Sequence, residues 1–481
     1  MKRVLIFGFF RKKGLLLVVL LLSALSCVNV SKKKEKGHTP WDKMAEVIKN
    51  VKEPVFLDKT YSVVEFGAVP DGTTKNTEAF KKAINTCSDN GGGIVLVPKG
   101  KYLTGPIHLE NNVNLHLEEG TEILFSTDVK DYPIVMTSYE GVEIMNYSPL
   151  IYAKDKKNIA VTGKGVLNGQ GSNEYWWSWC GSKKYGWEEG KPRQKDSLGI
   201  PMLMDLSDRG VPVTERIFGD GHYLRPTFFE PFNCETVMIQ GVKIINAPFW
   251  VIHPTRCTNV IVDGVTVNSH GPNNDGCDPE YSKNVIIKNC VFNTGDDCIA
   301  IKAGRDADGR RVGIKSENIV VQNCKMIDGH GGVVIGSEMS AGVRNVYVEN
   351  CEMNSPNLDR AIRIKTNTRR GGVVDGVYVR KIQVGQVREA VLKLNMHYAI
   401  YGDQKGDFMP AIKNVLLEDI EVEDGGKYGI LAKGYEQSPI KNITLKNVNI
   451  KKVDKISSLE NVANLKYINT YINGSLMKNL E

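Results

Sequence analysis

Residues 284–301 read Asn-Val-Ile-Ile-Lys-Asn-Cys-Val-Phe-Asn-Thr-Gly-Asp-Asp-Cys-Ile-Ala-Ile. Three short apolar runs stand in this stretch: Val285-Ile286-Ile287, Cys290-Val291-Phe292 and Cys298-Ile299-Ala300-Ile301. Each is too short for a helix and is bounded by Asn or Gly, so each reads as a strand. The opening Asn-Val or Asn-Ile step recurs at Asn158, Asn259, Asn284, Asn318, Asn345, Asn414 and Asn442. From Asn259 the intervals are 25, 34, 27, 69 and 28 residues, and the long one divides at Gly376-Val377. Three strands per unit without a helical pattern predict an all-β fold, a right-handed parallel β-helix. Each coil then lies about 4.8 Å above the last. A propeller needs four strands per unit, and most units here are too short for that.

A solenoid has open ends whose strand edges must be covered. Ala79, Phe80, Ala83, Ile84 and Cys87 fall on one helical face, behind a capping residue at Asn76 or Thr77 and before Gly91-Gly92-Gly93. This predicts a capping helix over about 78–87 at the N-terminal end. Residues 56–481 read as one catalytic domain. Residues 172–230 break the rhythm and contain Trp176, Trp177, Trp179 and Trp187, which predicts a long excursion off the solenoid. Residues 27–55 are lysine-rich and weakly patterned, and read as a tether and entry segment.

Residues 1–26 read as an export signal: Lys2, Arg3, Arg11, Lys12 and Lys13 precede an apolar core, Leu15 to Leu22, too short to remain as a membrane span. Two processing routes compete. Ala24-Leu25-Ser26 suits ordinary cleavage, whereas the stretch ending at Cys27 resembles a bacterial lipobox and makes Cys27 a candidate lipid anchor. The expected location is the periplasm or a bacterial membrane surface. Nine Lys and Arg residues before position 37 oppose only Glu35, so this segment accounts for the whole net charge of +7. The remainder is near neutral, which argues against nucleic-acid binding by bulk field.

The chain has ten cysteines. Cys234, Cys257, Cys290, Cys324 and Cys351 each follow Asn or Arg beside a strand, which suits small buried residues stacked coil on coil better than disulfides. No CxxC pair or His cluster suggests zinc. Monomer is the default for a capped solenoid.

In repeat register the polar residues align. Asp275 lies 16 residues after Asn259, Asp296 and Asp297 lie 12 and 13 after Asn284, and His330 lies 12 after Asn318. Arg363 and Lys365 lie 18 and 20 after Asn345. Each piece alone is bland: Gly-Asp-Asp is a common turn, a His between glycines is ordinary, and alternating charges occur on any solvated strand. Together they place acids, a His, then an Arg and a Lys on successive coils. Glycoside cleavage needs one protonated carboxyl and one carboxylate, and crowded carboxylates split their pKa values. Arg and Lys beside them suit a sugar carboxylate.

These residues resemble the family 28 glycoside hydrolases, the polygalacturonases. Asn273-Asn274-Asp275-Gly276 is similar to the family's Asn-x-Asp element, one step varied. Gly295-Asp296-Asp297-Cys298, Gly329-His330-Gly331-Gly332 and Arg363-Ile364-Lys365 resemble its other three elements. Phe66-Gly67-Ala68 and residues 248–254, Pro-Phe-Trp-Val-Ile-His-Pro, extend the likeness over about 60–450. The resemblance implies a parallel β-helix and inverting hydrolysis of pectin without metal or cofactor. It makes Asp296 the general acid, Asp275 and Asp297 the water activators, and His330 the support of the acid. It gives Arg363 and Lys365 the substrate carboxylate, with Asn274 and Lys302 as further substrate contacts.

Relatives acting on rhamnogalacturonan lack the complete Arg-Lys pair, so homogalacturonan is the favoured substrate here. Gly336-Ser337-Glu338-Met339 resembles members that cut from chain ends. The Trp-bearing excursion either walls off one end of a cleft or packs its tryptophans onto the barrel. A pectate lyase shares the solenoid but would need calcium and lose activity to a chelator. A sugar-binding fibre would bind without releasing reducing ends.

Overall fold

The computed structural model describes residues 39–399 and 405–479. The expected export signal and Cys27 lie outside the described residues. Residues 40–481 form one compact unit. Its strands stack almost entirely in parallel, each coil pairing with the coils before and after it. The fold is the expected parallel β-helix.

Core register follows from the pattern seen in the sequence. Val237, Val260, Val285, Ile319, Val346, Val377, Val415 and Ile443 pair in one continuous column through the barrel. All are buried, each gaining about 1.5–3 kcal/mol from leaving water. The asparagine before each repeat adopts a left-handed backbone, with φ near +58° at Asn259, Asn284 and Asn318. Asn tolerates this conformation better than most residues, which explains why the step recurs there. These side chains also bond to one another up the barrel, Asn345 to Asn318 at 3.1 Å and Asn318 to Asn284 at 3.0 Å. All nine described cysteines are buried and free.

Helix α1 spans Pro40–Asn50, inside the stretch expected as a tether. Its Met44 and Val47 are buried against Ile286, Val320 and Tyr347 on the outside of the barrel. Trp41 donates to Glu418 at 2.7 Å and stacks under Arg380. The lysine-rich context hid an apolar stripe, Trp41, Met44, Val47, Ile48 and Val51, at helical spacing. Helix α2, Thr77–Asp89, buries the five residues expected for the cap.

Two excursions leave the coils. Between the strands Val166–Asn168 and Phe229–Phe232 runs the Trp-bearing segment, which includes helix α3, Ile200–Asp208. The second is an antiparallel hairpin, Ile134–Tyr139 paired with Val142–Tyr147, that the sequence reading did not separate from the repeats. A short helix, α4 (Asp306–Val312), follows the strand Ile299–Ile301 and packs near the hairpin.

The face that matters for chemistry is one sheet. Strands Ile299–Ile301, Val333–Gly336, Arg360–Lys365 and Ala390–Asn395 pair in order, and single bridges continue the sheet through Cys277 and Ile252 to Phe229.

Candidate active site

Asp296 and Asp297 fall in a corner between the strands Val291–Thr294 and Ile299–Ile301, not within a strand. Strand neighbours would face opposite sides. The irregular corner lets both carboxylates turn the same way, and Asp297 N donates to Asp296 Oδ1 at 3.0 Å. Asp275 occupies the same corner one coil below, where Gly276 N donates to Asp297 O. One carboxylate oxygen from each of Asp275, Asp296 and Asp297 lies within 4.8 Å of the others. One coil above, His330 N donates to Asp296 O, and its Nδ1 lies 2.9 Å from Asp296 Oδ1. Gly329 makes this approach feasible: it has φ +154°, and a Cβ there would sit 2.6 Å from Asp296 O.

Arg363 and Lys365, two apart on one strand, share a face. Lys365 Nζ lies 2.7 Å from Asp297 Oδ2, and Arg363 reaches Asp297 Oδ1 at 3.5 Å. Both cations stand over the Tyr398 ring. Lys302 Nζ lies 3.0 Å from Glu338, 3.9 Å from Asp275 and 4.0 Å from Asp278. The sequence reading thus places Asp275, Asp296, Asp297, His330, Arg363, Lys365 and Lys302 together, and the structure does bring them into one cluster.

Two expected positions differ in detail. Asn274, expected as a substrate contact, is fully buried inside the corner. Its Oδ1 accepts from Ser269 and from Gly271 N, and its Nδ2 donates to Phe249 O. It builds the turn that carries Asp275, and its neighbour Asn273 lines the cavity instead. Asp297 is likewise fully buried behind Asp275 and Asp296, held by its two cations.

The cluster opens into a polar, half-open cavity of about 380 Å³. Asp275, Asp296, His330, Lys302, Arg363 and Lys365 line it. So do residues the sequence reading missed: Glu140 from the hairpin turn, Arg305 at the start of α4, Arg370 and Tyr398. Repeat phase could not show them, because most sit on insertions whose folding back is tertiary. The tryptophans of the long excursion do not line it. Trp176 is buried against Tyr132, Trp177 donates to Ala247 O, and Trp179 packs on Tyr147 and Tyr223, so they fasten the loop to the barrel.

Electrostatics sort the acids. Burial and the neighbouring Asp296 and Asp278 carboxylates push the Asp275 pKa well above the usual carboxylate range. Burial also raises Asp296, but the His330 imidazolium outweighs it and holds Asp296 below that range. Asp296 in turn raises His330 to about 9. Asp278, whose two oxygens have no hydrogen-bond partner among the described residues, is pushed up by burial against the opposing pull of Lys302. The three aspartates are close enough to hold a cation. Lys302, Lys365 and Arg363 already supply positive charge at that point.

Three close acids, an imidazolium against one of them and cations around a sugar-sized cavity form a constellation for glycoside cleavage, and comparison with known proteins agrees. The family model for glycosyl hydrolases family 28 matches residues 219–469, more than half of the chain. This protein belongs to glycosyl hydrolase family 28. It is a glycosidase. A crystal structure of a hyperthermoactive exopolygalacturonase from Thermotoga maritima is 43% identical, with 92% of this chain and 97% of that one covered and a TM-score of 0.88. A probable polygalacturonase of Vitis vinifera is 28% identical over 403 residues, spanning 81% of this chain and 74% of its own length. An exo-poly-alpha-D-galacturonosidase of Dickeya chrysanthemi is 28% identical over 402 residues, 76% of this chain and 63% of its own length. A separate model, for rhamnogalacturonase A/epimerase, matches residues 60–124.

Proposed function

We propose that this family 28 enzyme hydrolyses the α-1,4 bonds of polygalacturonate from chain ends. The observation that carries this reading is the cavity over Asp275 and Asp296, walled by the hairpin turn at Glu140 and by Arg305, with Arg363 and Lys365 also in its wall. An open groove would accept an internal stretch of polymer, whereas a cavity of this size takes a terminus. Its similarity to the Thermotoga maritima exopolygalacturonase supports the same reading.

In the proposed mechanism Asp296 delivers the proton to the leaving oxygen. His330 supports it: the imidazolium hydrogen-bonds the Asp296 carboxylate, and proton transfer along that 2.9 Å contact readies the acid. The charged His330 is what holds Asp296 below the usual carboxylate range, so passage of the His330 proton to Asp296 makes the acid competent. Asp275, with Asp297 behind it, positions the attacking water. Arg363 and Lys365 hold the galacturonate carboxylate. Inversion is the stereochemistry that the family 28 resemblance implies, although one carboxylate oxygen of each acid lies within 4.8 Å of the others, closer than the roughly 6.5–9.5 Å common in inverting enzymes.

The chain is exported by its N-terminal signal, and Cys27 is its candidate lipid anchor. It acts as a monomer. The deciding experiment is a time course on polygalacturonate. Galacturonate or digalacturonate alone from the first minutes supports end-cutting; early mixed oligomers overturn it.

A further inference from the structure

The cavity wall holds a pair that the reaction chemistry above leaves idle, Glu140 and Arg305. Glu140 opens the two-residue turn of the hairpin, where Tyr139 pairs with Val142. Both turn residues have positive φ, 47° at Glu140 and 83° at Gly141, the geometry of a type I′ turn. Glutamate rarely adopts that conformation, so the surroundings must hold it there. Arg305 N donates to Gly141 O at 2.9 Å, and a Cβ at 141 would stand 2.8 Å from that nitrogen. The rest of the hairpin is clamped by ion pairs from Glu143 to Arg256 and Arg311, and by hydrogen bonds of Thr137 and Ser138 to Glu230 and Glu280.

Held this way, Glu140 and Arg305 are both more than nine-tenths buried. Arg305 NH1 donates to Glu140 Oε2 at 2.6 Å. Among the described residues that is the only hydrogen bond to this carboxylate, which leaves Oε1 able to accept. Arg305 Nε is buried and faces Asp306 Oδ2 at 3.8 Å. The pair cancels its own charge, and Arg370 beside it faces two acids, Asp306 at 2.7 Å and Glu338 at 3.6 Å. A second sugar carboxylate therefore gains little here. A hydroxyl, which donates to a carboxylate, matches the unused Oε1 of a Glu140 that Arg305 holds in place.

We propose that Glu140 and Arg305 read the C4 hydroxyl of the non-reducing terminal galacturonate. This inference rests on the chain-end reading above and names what enforces it. In an internal residue O4 is the bridging oxygen and has no proton to give Glu140. The pair thus acts as a specificity determinant that the insertion adds to the barrel.

The test compares saturated trigalacturonate with trigalacturonate whose terminal ring is 4,5-unsaturated and lacks that hydroxyl. A site built around a hydroxyl rejects the analogue without it strongly, so the unmutated enzyme favours the saturated trimer by about 10²-fold or more in kcat/KM. In Glu140→Ala and in the milder Glu140→Gln this preference narrows to about tenfold or less, through loss on the saturated trimer. The ratio is taken within each preparation, so partial misfolding cancels. A preference near one in the unmutated enzyme, or one unchanged in both variants, overturns the assignment while leaving end-cutting intact. An unmutated enzyme that hydrolyses neither trimer nor polygalacturonate overturns both.

Discussion

His253 stands between Glu230 and Glu280, and all three are fully buried. Its Nε2 lies 3.0 Å from Glu280 Oε2 and its Nδ1 3.6 Å from Glu230 Oε2. Burial pushes the imidazole pKa down, but the two carboxylates outweigh it and lift the value from 6.5 to about 9. A raised histidine stabilises the fold fully below its unfolded pKa and loses that contribution as pH rises through the folded one. Roughly two and a half pH units, at 1.36 kcal/mol each, make about 3 kcal/mol present at pH 6 and gone above about pH 9. The variant His253→Gln keeps a hydrogen-bond donor and removes the charge. Urea unfolding followed by tryptophan fluorescence, from pH 6 to 9.5, then shows the variant weaker by about 3 kcal/mol at pH 6. The gap closes by pH 9.5. A gap of equal size at both ends would refute the ion-pair argument. Because Glu230 and Glu280 also hold Thr137 and Ser138, the same variant loosens the hairpin that walls the cavity.

Three further outcomes follow from the geometry. Asp296→Asn lowers kcat by several orders of magnitude with substrate binding by calorimetry retained, and the His330 pKa measured by NMR falls from about 9 toward 6.5; a near-normal rate would remove Asp296 from the chemistry. Lys365→Met deletes the cation nearest Asp297, 2.7 Å away, and reduces kcat/KM on oligogalacturonides by about 10²-fold; less than a threefold change would show that this lysine is only structural. Ile319→Ala, in the core column between Val285 and Val346, costs about 2–5 kcal/mol of stability while kcat per folded molecule holds.

The repeat was legible because its cause is local. Each coil needs a left-handed corner that Asn supplies and a buried β-branched run after it, so Asn284-Val285 and Asn318-Ile319 announce themselves residue by residue. The same phase carried Asp275, Asp296, His330, Arg363 and Lys365, since a parallel stack turns equal sequence offset into spatial neighbourhood. The cap helix followed from its apolar face. The docked helix α1 was hidden only by the lysines around its stripe.

Tertiary structure decided the rest. Whether Asn274 or Asn273 meets the cavity depends on which way one irregular corner turns. That Asp297 lies behind the other acids depends on how neighbouring coils overlap. The Asp275 and Asp296 pKa values diverge only once burial and His330 act on them together. The shape of the cavity depends on a hairpin and α4 folding back across sequence separations that no period encodes. The three acids could thus be read from the chain, but the wall above them exists only because Glu140 and Arg305, 165 residues apart, meet in space.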